Sequence, residues 1–146
     1  MSLYPEGGGQ YDNWINATSQ GRYMFWVDAG QANIDVYAHT ASTPLENHSQ
    51  AVTITGNMTV DINVPARSAT LSGVVTDGSQ PLQWVKVLAE NVTRGYNAVT
   101  PMAYTTPTGA YTLYLTPGDT YNISFEKPGY EPAGQSGVVA GVTTTA

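Results

Sequence analysis

The sequence predicts an all-β protein made of antiparallel β-sandwich modules in tandem, the first of them incomplete. Three observations carry that expectation. Apolar and polar residues alternate in short runs, and Gly, Pro, Asn and Asp interrupt them at roughly 8–12-residue intervals, the spacing of sandwich strands. No window places apolar residues at i, i+3, i+4 and i+7 behind a capping residue, so no amphipathic helix is written. Only 11% of the 146 residues are charged, while Thr is abundant and Tyr occurs ten times, a composition that favours pleated surfaces.

The elements follow in order. In Tyr23-Met24-Phe25-Trp26-Val27 successive side chains point to opposite faces, so Tyr23, Phe25 and Val27 share one side. Ile34 and Val36 resume that face after the Asp28-Ala29-Gly30 turn. Residues 51–55 and 59–64 are expected to form a hairpin about Gly56-Asn57, with Val60, Ile62 and Val64 inward and Asp61 and Asn63 in water. Pro65 ends the ladder because it has no N–H to donate. The next strand starts at Ala69, with Leu71, Gly73 and Val75 on one face and a turn at Asp77-Gly78. Residues 84–90 place Val85, Val87 and Ala89 inward. A looser stretch, 91–100, leads to a strand at 102–105. Tyr111, Leu113 and Leu115 form the next inward set, Pro117-Gly118-Asp119 turns the chain, and Tyr121, Ile123 and Phe125 return before "KPGYEP" closes the pair.

One phrase is written twice. "GRYMFWVDAGQANIDVY", residues 21–37, and "GAYTLYLTPGDTYNISF", residues 109–125, share the opening Gly-x-Tyr, the alternation, a second Gly nine positions on and a resumed Asn-Ile. A fainter match joins "QAVTITGNMT" to "SGVVAGVTT". The shift of 88 residues between Gly21 and Gly109 is too long for a solenoid repeat and suits one small sandwich. The chain therefore divides into residues 1–66, the back half of a first module, and 67–146, a second module lacking its last strand. Pro65-Ala66-Arg67 is the expected short linker. On the same alignment the first module's opening strands, counterparts of 69–75 and 84–89, precede Met1, and "MSL" reads as an expression remnant.

From Ser68 onward, "SATLSGVVTDGSQPLQWVKVLAENV" and then "TPTGAYTLYLTPGDTYNISFEKPGYEP" resemble the carboxypeptidase regulatory-like domain, a transthyretin-like, prealbumin-like family. Gly73, Val75, Asp77, Pro81, Leu82, Val85 and Val87 carry its opening pattern, and residues 109–131 its middle signature. The resemblance implies a Greek-key β-sandwich of about seven strands. It implies no activity: the family is named for its attachment to carboxypeptidases, and nothing here looks like a zinc peptidase domain.

Charge and composition narrow the partners. Five basic residues, Arg22, Arg67, Lys86, Arg94 and Lys127, are scattered in a chain of net charge −6, which disfavours nucleic acid. No apolar run reaches the roughly 18–20 residues of a membrane helix. Cysteine is absent, which excludes disulfides and thiol chemistry. Asn16, Asn47, Asn57, Asn91 and Asn122 each open an N-x-[ST] sequon, pointing to an extracellular or cell-surface parent.

Candidate chemistry is sparse. His39, Glu46 and His48 could meet on a metal, and Asp28 with Asp35, or Asp77 with Ser79, on calcium; irregular spacing and ordinary turn chemistry argue against both, and no metal or cofactor is expected. No nucleophile elbow supports hydrolysis. A Lys–Asn isopeptide lock needs its acid in the core, whereas Lys86 and Glu126 alternate with core residues and should face outward. The aromatics are the surface feature of interest. Trp26 and Tyr114 occupy the same place in the repeat and should point away from their cores, and Trp84 flanks inward Val85. Such faces stack on sugar rings or cover a neighbour. The expectation is a non-enzymatic structural, spacer or adhesion-type module of a larger exported protein. Its expected partners are neighbouring domains and a homodimer through unpaired strand edges. The alternatives are a carbohydrate-binding module using Trp26, Trp84 or Tyr114, and an accessory domain of a peptidase.

Overall fold

A computed structural model describes residues 15–37 and 44–141, with the backbone alone of 2–5 and 144–145. The described chain is all-β and contains no α-helix; its sheets are antiparallel apart from one short parallel pairing. It divides into two compact units, Met1–His39 with Asn47–Pro65, and Thr40–Glu46 with Ala66–Ala146.

The described residues of the second unit form seven strands: β4 (Ala69–Val74), β5 (Lys86–Asn91), β6 (Met102–Tyr104), β7 (Ala110–Leu115), β8 (Thr120–Glu126), β9 (Ala133–Val139) and β10 (Thr144–Thr145). They form a three-stranded sheet, β10-β4-β7, and a four-stranded sheet, β6-β5-β8-β9. The period of two explains the core. Ala69 and Leu71 of β4 and Tyr111, Leu113 and Leu115 of β7 meet Val87 and Ala89 of β5, Tyr121 and Ile123 of β8, Val138 of β9 and Ala140 in one buried cluster. Each fully buried leucine there contributes about 1.5–3 kcal/mol. β9, which the sequence left unassigned, is bent by a bulge opposite Tyr121 and Ile123, where Gly137 takes φ +71° and its N–H donates to Asn122 Oδ1. Glycine suits such a bulge because it accepts positive φ.

The first unit holds β1 (Ser2–Pro5), β2 (Gly30–Val36) and β3 (His48–Ile54) in one sheet, order β1-β2-β3. Ser2 and Leu3 are thus ladder residues. Around buried Ala32 and Ile34 pack the half-buried Val27, Val52, Ile54, Val60 and Ile62.

The repeat is visible at the level of single hydrogen bonds. Thr18 N–H donates to Arg22 O at 2.9 Å and Gly21 N–H to Thr18 O at 2.8 Å; Thr106 N–H donates to Ala110 O at 2.9 Å and Gly109 N–H to Thr106 O at 2.8 Å. Each threonine Oγ1 accepts the N–H four residues on, at 3.1 Å from Arg22 and 3.2 Å from Ala110. Gly21 and Gly109 share φ values of +75° and +74°. Across the sheets, Ile34 lies between Leu3 and Gln50 as Ile123 lies between Ala89 and Gln135. β1 therefore stands where β5 stands in the second unit.

Two expected strands differ. Residues 23–27 and 59–64 alternate in burial as predicted, yet neither forms a ladder, and β3 pairs with β2 rather than with 59–64. Their counterparts explain this. Residues 23–27 match β7, and 59–64 follow β3 as β10 follows β9. Both β7 and β10 pair with β4, and the described residues of the first unit include no strand in that place.

Candidate functional site

The aromatic surface of the second unit is built from the alternation of β6. Ala103 packs against the core, so Met102 and Tyr104 face outward. On the adjacent β5, Lys86 lies opposite Tyr104 and Leu88 opposite Met102. Trp84, 64% exposed, meets Tyr104, 51% exposed, edge to face with ring centroids 6.4 Å apart. Lys86 Nζ stands 4.0 Å from Glu126 Oε2 at its flank, and both side chains are open to solvent, so the ion pair adds little stability. The patch presents two aromatic rings, a thioether and a charged pair.

Trp84 has φ +61°, the one described non-glycine residue with positive φ. A bulky side chain there is strained by about 1–3 kcal/mol. The backbone around it is pinned throughout. Trp84 N–H donates to Thr105 O at 3.1 Å, Thr105 N–H to Val85 O at 3.0 Å, Val85 N–H to Thr105 Oγ1 at 2.9 Å and Thr105 Oγ1 to Leu82 O at 2.6 Å. Lys127 Nζ donates to Gln83 O at 2.8 Å. A buried threonine and one lysine thus hold an unfavourable conformation that turns the indole outward.

The other two aromatics named by the sequence do not join this patch within their unit. Tyr114 lies between buried Leu113 and Leu115 on β7 and faces out from the three-stranded sheet, opposite Thr70. It points away from Trp84, which belongs to the outer side of the other sheet. Trp26, 87% exposed, belongs to the first unit. Tyr104, absent from the sequence reading of the site, was legible in the alternation of Met102-Ala103-Tyr104. The strain at Trp84 was not, because φ at a turn residue depends on its tertiary anchors.

A second cluster is polar and buried. Asn91 Nδ2 donates to Asp119 Oδ2 at 2.9 Å and to Tyr121 OH at 3.1 Å, and Arg94 Nε donates to the same Asp119 oxygen. Tyr121 OH also accepts Thr116 N–H at 2.9 Å. Thr116 Oγ1 donates to Glu46 Oε2 at 3.2 Å, and Val99 N–H to Glu46 Oε1 at 2.6 Å. Glu46 is fully buried; its segment is fixed by a bridge between Leu45 and Ala66, by Arg67 N–H to Pro44 O at 2.8 Å and by Arg67 Nε to Leu45 O at 3.1 Å. Ala66 and Arg67, expected to be linker, are therefore part of the second unit's fabric. These groups satisfy one another, and the cluster is structural.

Among the described residues the weighed metal sets do not assemble. The Glu46 carboxylate is engaged as above, His48 opens β3 in the first unit, and His39 lies outside the described residues. Asp77 Oδ1 accepts Gln80 N–H at 2.8 Å, Ser79 N–H at 2.9 Å and Ser79 Oγ at 3.0 Å; those bonds hold its carboxyl below the usual range. Asp35 Oδ1 accepts the Ser49 hydroxyl at 2.5 Å. Among the described residues no three His, Asp or Glu side chains gather as metal ligands. A shallow concavity of about 280 Å³ on β2 and β3, lined by Gln31, Ala32, Asn33, Ala51, Val52 and Thr53, holds no charged group.

Two tyrosines carry raised pKa values. Burial pushes the Tyr111 phenol up, and its hydroxyl has no hydrogen-bond partner. Burial and then the neighbouring Asp61 charge raise Tyr23, whose hydroxyl donates to Val60 O at 2.6 Å. Among the sequons, Asn16, Asn57 and Asn122 are exposed, whereas Asn91 is buried with its amide committed. Comparison with protein-family models, with curated proteins and with solved structures returns no match.

Proposed function

We propose that the chain is a non-enzymatic spacer or adhesion-type module of a larger exported, cell-surface protein. The observation that carries this reading is the duplicated segment, residues 21–37 and 109–125, with matching turn bonds at Thr18–Arg22 and Thr106–Ala110. Repetition of one β design, with the buried polar groups spent on architecture, suits a stalk. The seven strands of the second unit in two facing sheets support the prealbumin-like, carboxypeptidase regulatory-like resemblance. Exposed Asn16 and Asn57 suit an exported chain.

The mechanism is mechanical. β10 runs parallel to β4 and beside it. Tension applied at the two ends of the second unit loads the bonds between these strands in shear, so that they fail together. Single-molecule pulling tests this. Attachment at Ser68 and Thr145 should need a higher rupture force than attachment at Thr120 and Val139, where the β8–β9 ladder opens bond by bond. Equal forces would remove the mechanical reading.

A carbohydrate-binding role is favoured by one observation: Trp84 is held outward beside Tyr104 at strained φ. Strain concentrates where a side chain must be presented, and aromatic faces stack on sugar rings. Titration with polysaccharides should then give a saturable Trp fluorescence change that Trp84→Ala abolishes and Trp26→Ala retains. A change that survives Trp84→Ala would dismiss this surface.

A further inference from the structure

We propose that Asn57 is the N-glycan acceptor of the folded chain, and that the fold withholds the other four sequons. The proposal rests on the exported reading above. Five asparagines open an N-x-[ST] triplet, and glycosyl transfer asks the same three things of each. The amide nitrogen must be free, because it forms the bond to the sugar. The hydroxyl two residues on must be free for the transferase to grip. The backbone between them must be able to bend into an enzyme, which a strand held in a ladder cannot do.

Asn57 meets all three. It follows β3 on residues 55–59, every one of them exposed. No atom lies within 4 Å of a carbon added at Gly56, and Met58 is 48% exposed. Among the described residues neither the Asn57 amide nor the Thr59 hydroxyl has a hydrogen-bond partner. The stretch lies outside any ladder and is anchored at both ends: Ile54 pairs with Gly30 of β2, and Tyr23 OH donates to Val60 O at 2.6 Å.

The other four are committed. Asn91 is buried, its Nδ2 donates to Asp119 Oδ2 and Tyr121 OH, and Thr93 Oγ1 accepts Thr120 N–H at 2.8 Å. Asn122 is exposed but sits in β8, between β5 and β9, where its Oδ1 accepts Gly137 N–H at 3.2 Å. Asn47 is half-buried, and the hydroxyl of its triplet, on Ser49, donates to Asp35 Oδ1 at 2.5 Å. Asn16 is exposed, but Thr18 Oγ1 caps the repeated turn, accepting Arg22 N–H at 3.1 Å and Gln20 N–H at 3.3 Å.

The donor is a lipid-linked oligosaccharyl diphosphate. Asn57 Nδ2 bonds to the anomeric carbon, the bond from that carbon to the diphosphate oxygen breaks, its electron pair leaves with the lipid diphosphate, and one amide proton passes to a base of the transferase. Incubating the folded chain with such a donor and an oligosaccharyltransferase that requires only Asn-x-Ser/Thr tests this, read by intact mass and peptide mapping. One glycan should be added, at Asn57. Occupancy at each other sequon should be at most about a tenth as high, because those acceptors need local opening first. Asn57→Gln and Thr59→Ala should each abolish the addition. Synthetic peptides of residues 54–61 and 88–95 should both be accepted, which places the refusal of Asn91 in the fold and not in its triplet. No addition to the folded chain, comparable occupancy at another sequon, or refusal of either peptide overturns the proposal. Transfer to the purified chain is independent of compartment, so its failure strikes the site alone. The exported reading fails separately, if antibody to the chain labels native cells only after they are permeabilised.

Discussion

Two tyrosines on consecutive strands of the two sheets, Tyr111 on β7 and Tyr121 on β8, show how much a single buried hydroxyl depends on its partner. Tyr121 OH accepts bonds from Thr116 N–H and Asn91 Nδ2, while Tyr111 OH is buried without a partner. Removing the first oxygen orphans two donors, so Tyr121→Phe should cost about 1–3 kcal/mol in denaturant unfolding. Tyr111→Phe removes an unsatisfied group and should leave stability unchanged or raise it by up to about 1 kcal/mol. The Tyr111 phenol also titrates high because burial disfavours the phenolate, above its ordinary value of 10.0. The fold holds it neutral, so its contribution is fully present below pH 10 and is lost as pH rises through that value toward the folded pKa. Alkaline unfolding of Tyr111→Phe should therefore begin at higher pH than in the parent; an unchanged midpoint would mean that Tyr111 ionises without consequence. Trp84 gives a third contrast. At its φ of +61°, Trp84→Val should be less stable than Trp84→Gly by about 1–2 kcal/mol, since β-branched residues resist positive φ and glycine does not. Equal stabilities would place the strain elsewhere.

The elements themselves were legible where burial is one-sided. Alternation predicted the inward sets of β4, β5, β7 and β8, and the inward rows recur in the buried cluster. It could not reveal pairing. Residues 23–27 and 59–64 carry the same alternation as ladder strands and lack the ladder, because periodicity reports which face is apolar and says nothing of the neighbour that would bond the backbone. β9 was missed because four of its first five residues are Ala133, Gly134, Ser136 and Gly137, which carry little apolar signal. The sequence offers Glu46 only as a candidate metal ligand beside His39 and His48. Its buried role needs Val99 and Thr116, 53 and 70 residues away. The equivalent glycines separate local from tertiary constraint. Gly21→Ala meets only the conformational penalty at φ +75°, with nothing within 4 Å of the added carbon, and should cost about 1–2 kcal/mol. At Gly109 the same carbon would lie 2.5 Å from Val75 O, just past β4, a strand with no equivalent among the described residues of the first unit. Gly109→Ala should therefore cost at least about 2 kcal/mol more in equilibrium unfolding. Matching losses at the two sites would argue that the two turns stand in like surroundings.

At the scale of the whole molecule, two units that share a repeated segment should differ in stability because their cores differ. The described residues of the second unit bury eleven apolar residues in one cluster and close it with seven strands. The described part of the first fully buries two, Ala32 and Ile34, under half-exposed neighbours. Burial of one aliphatic side chain contributes about 1.5–3 kcal/mol, and ordering the chain opposes it at about 1–2 kcal/mol per residue. The smaller core therefore leaves the first unit nearer the threshold of folding. Native-state hydrogen exchange should resolve this as two classes of amide. Those of β2 and β3 should exchange through an opening at least about 3 kcal/mol cheaper than that of β4 and β7. Low denaturant should accelerate the first class alone, with a small m-value that reflects the limited surface exposed. A single opening energy for both sheets, with one m-value, would mean that the units unfold as one, and the stability of the first would then have to come from outside its own core.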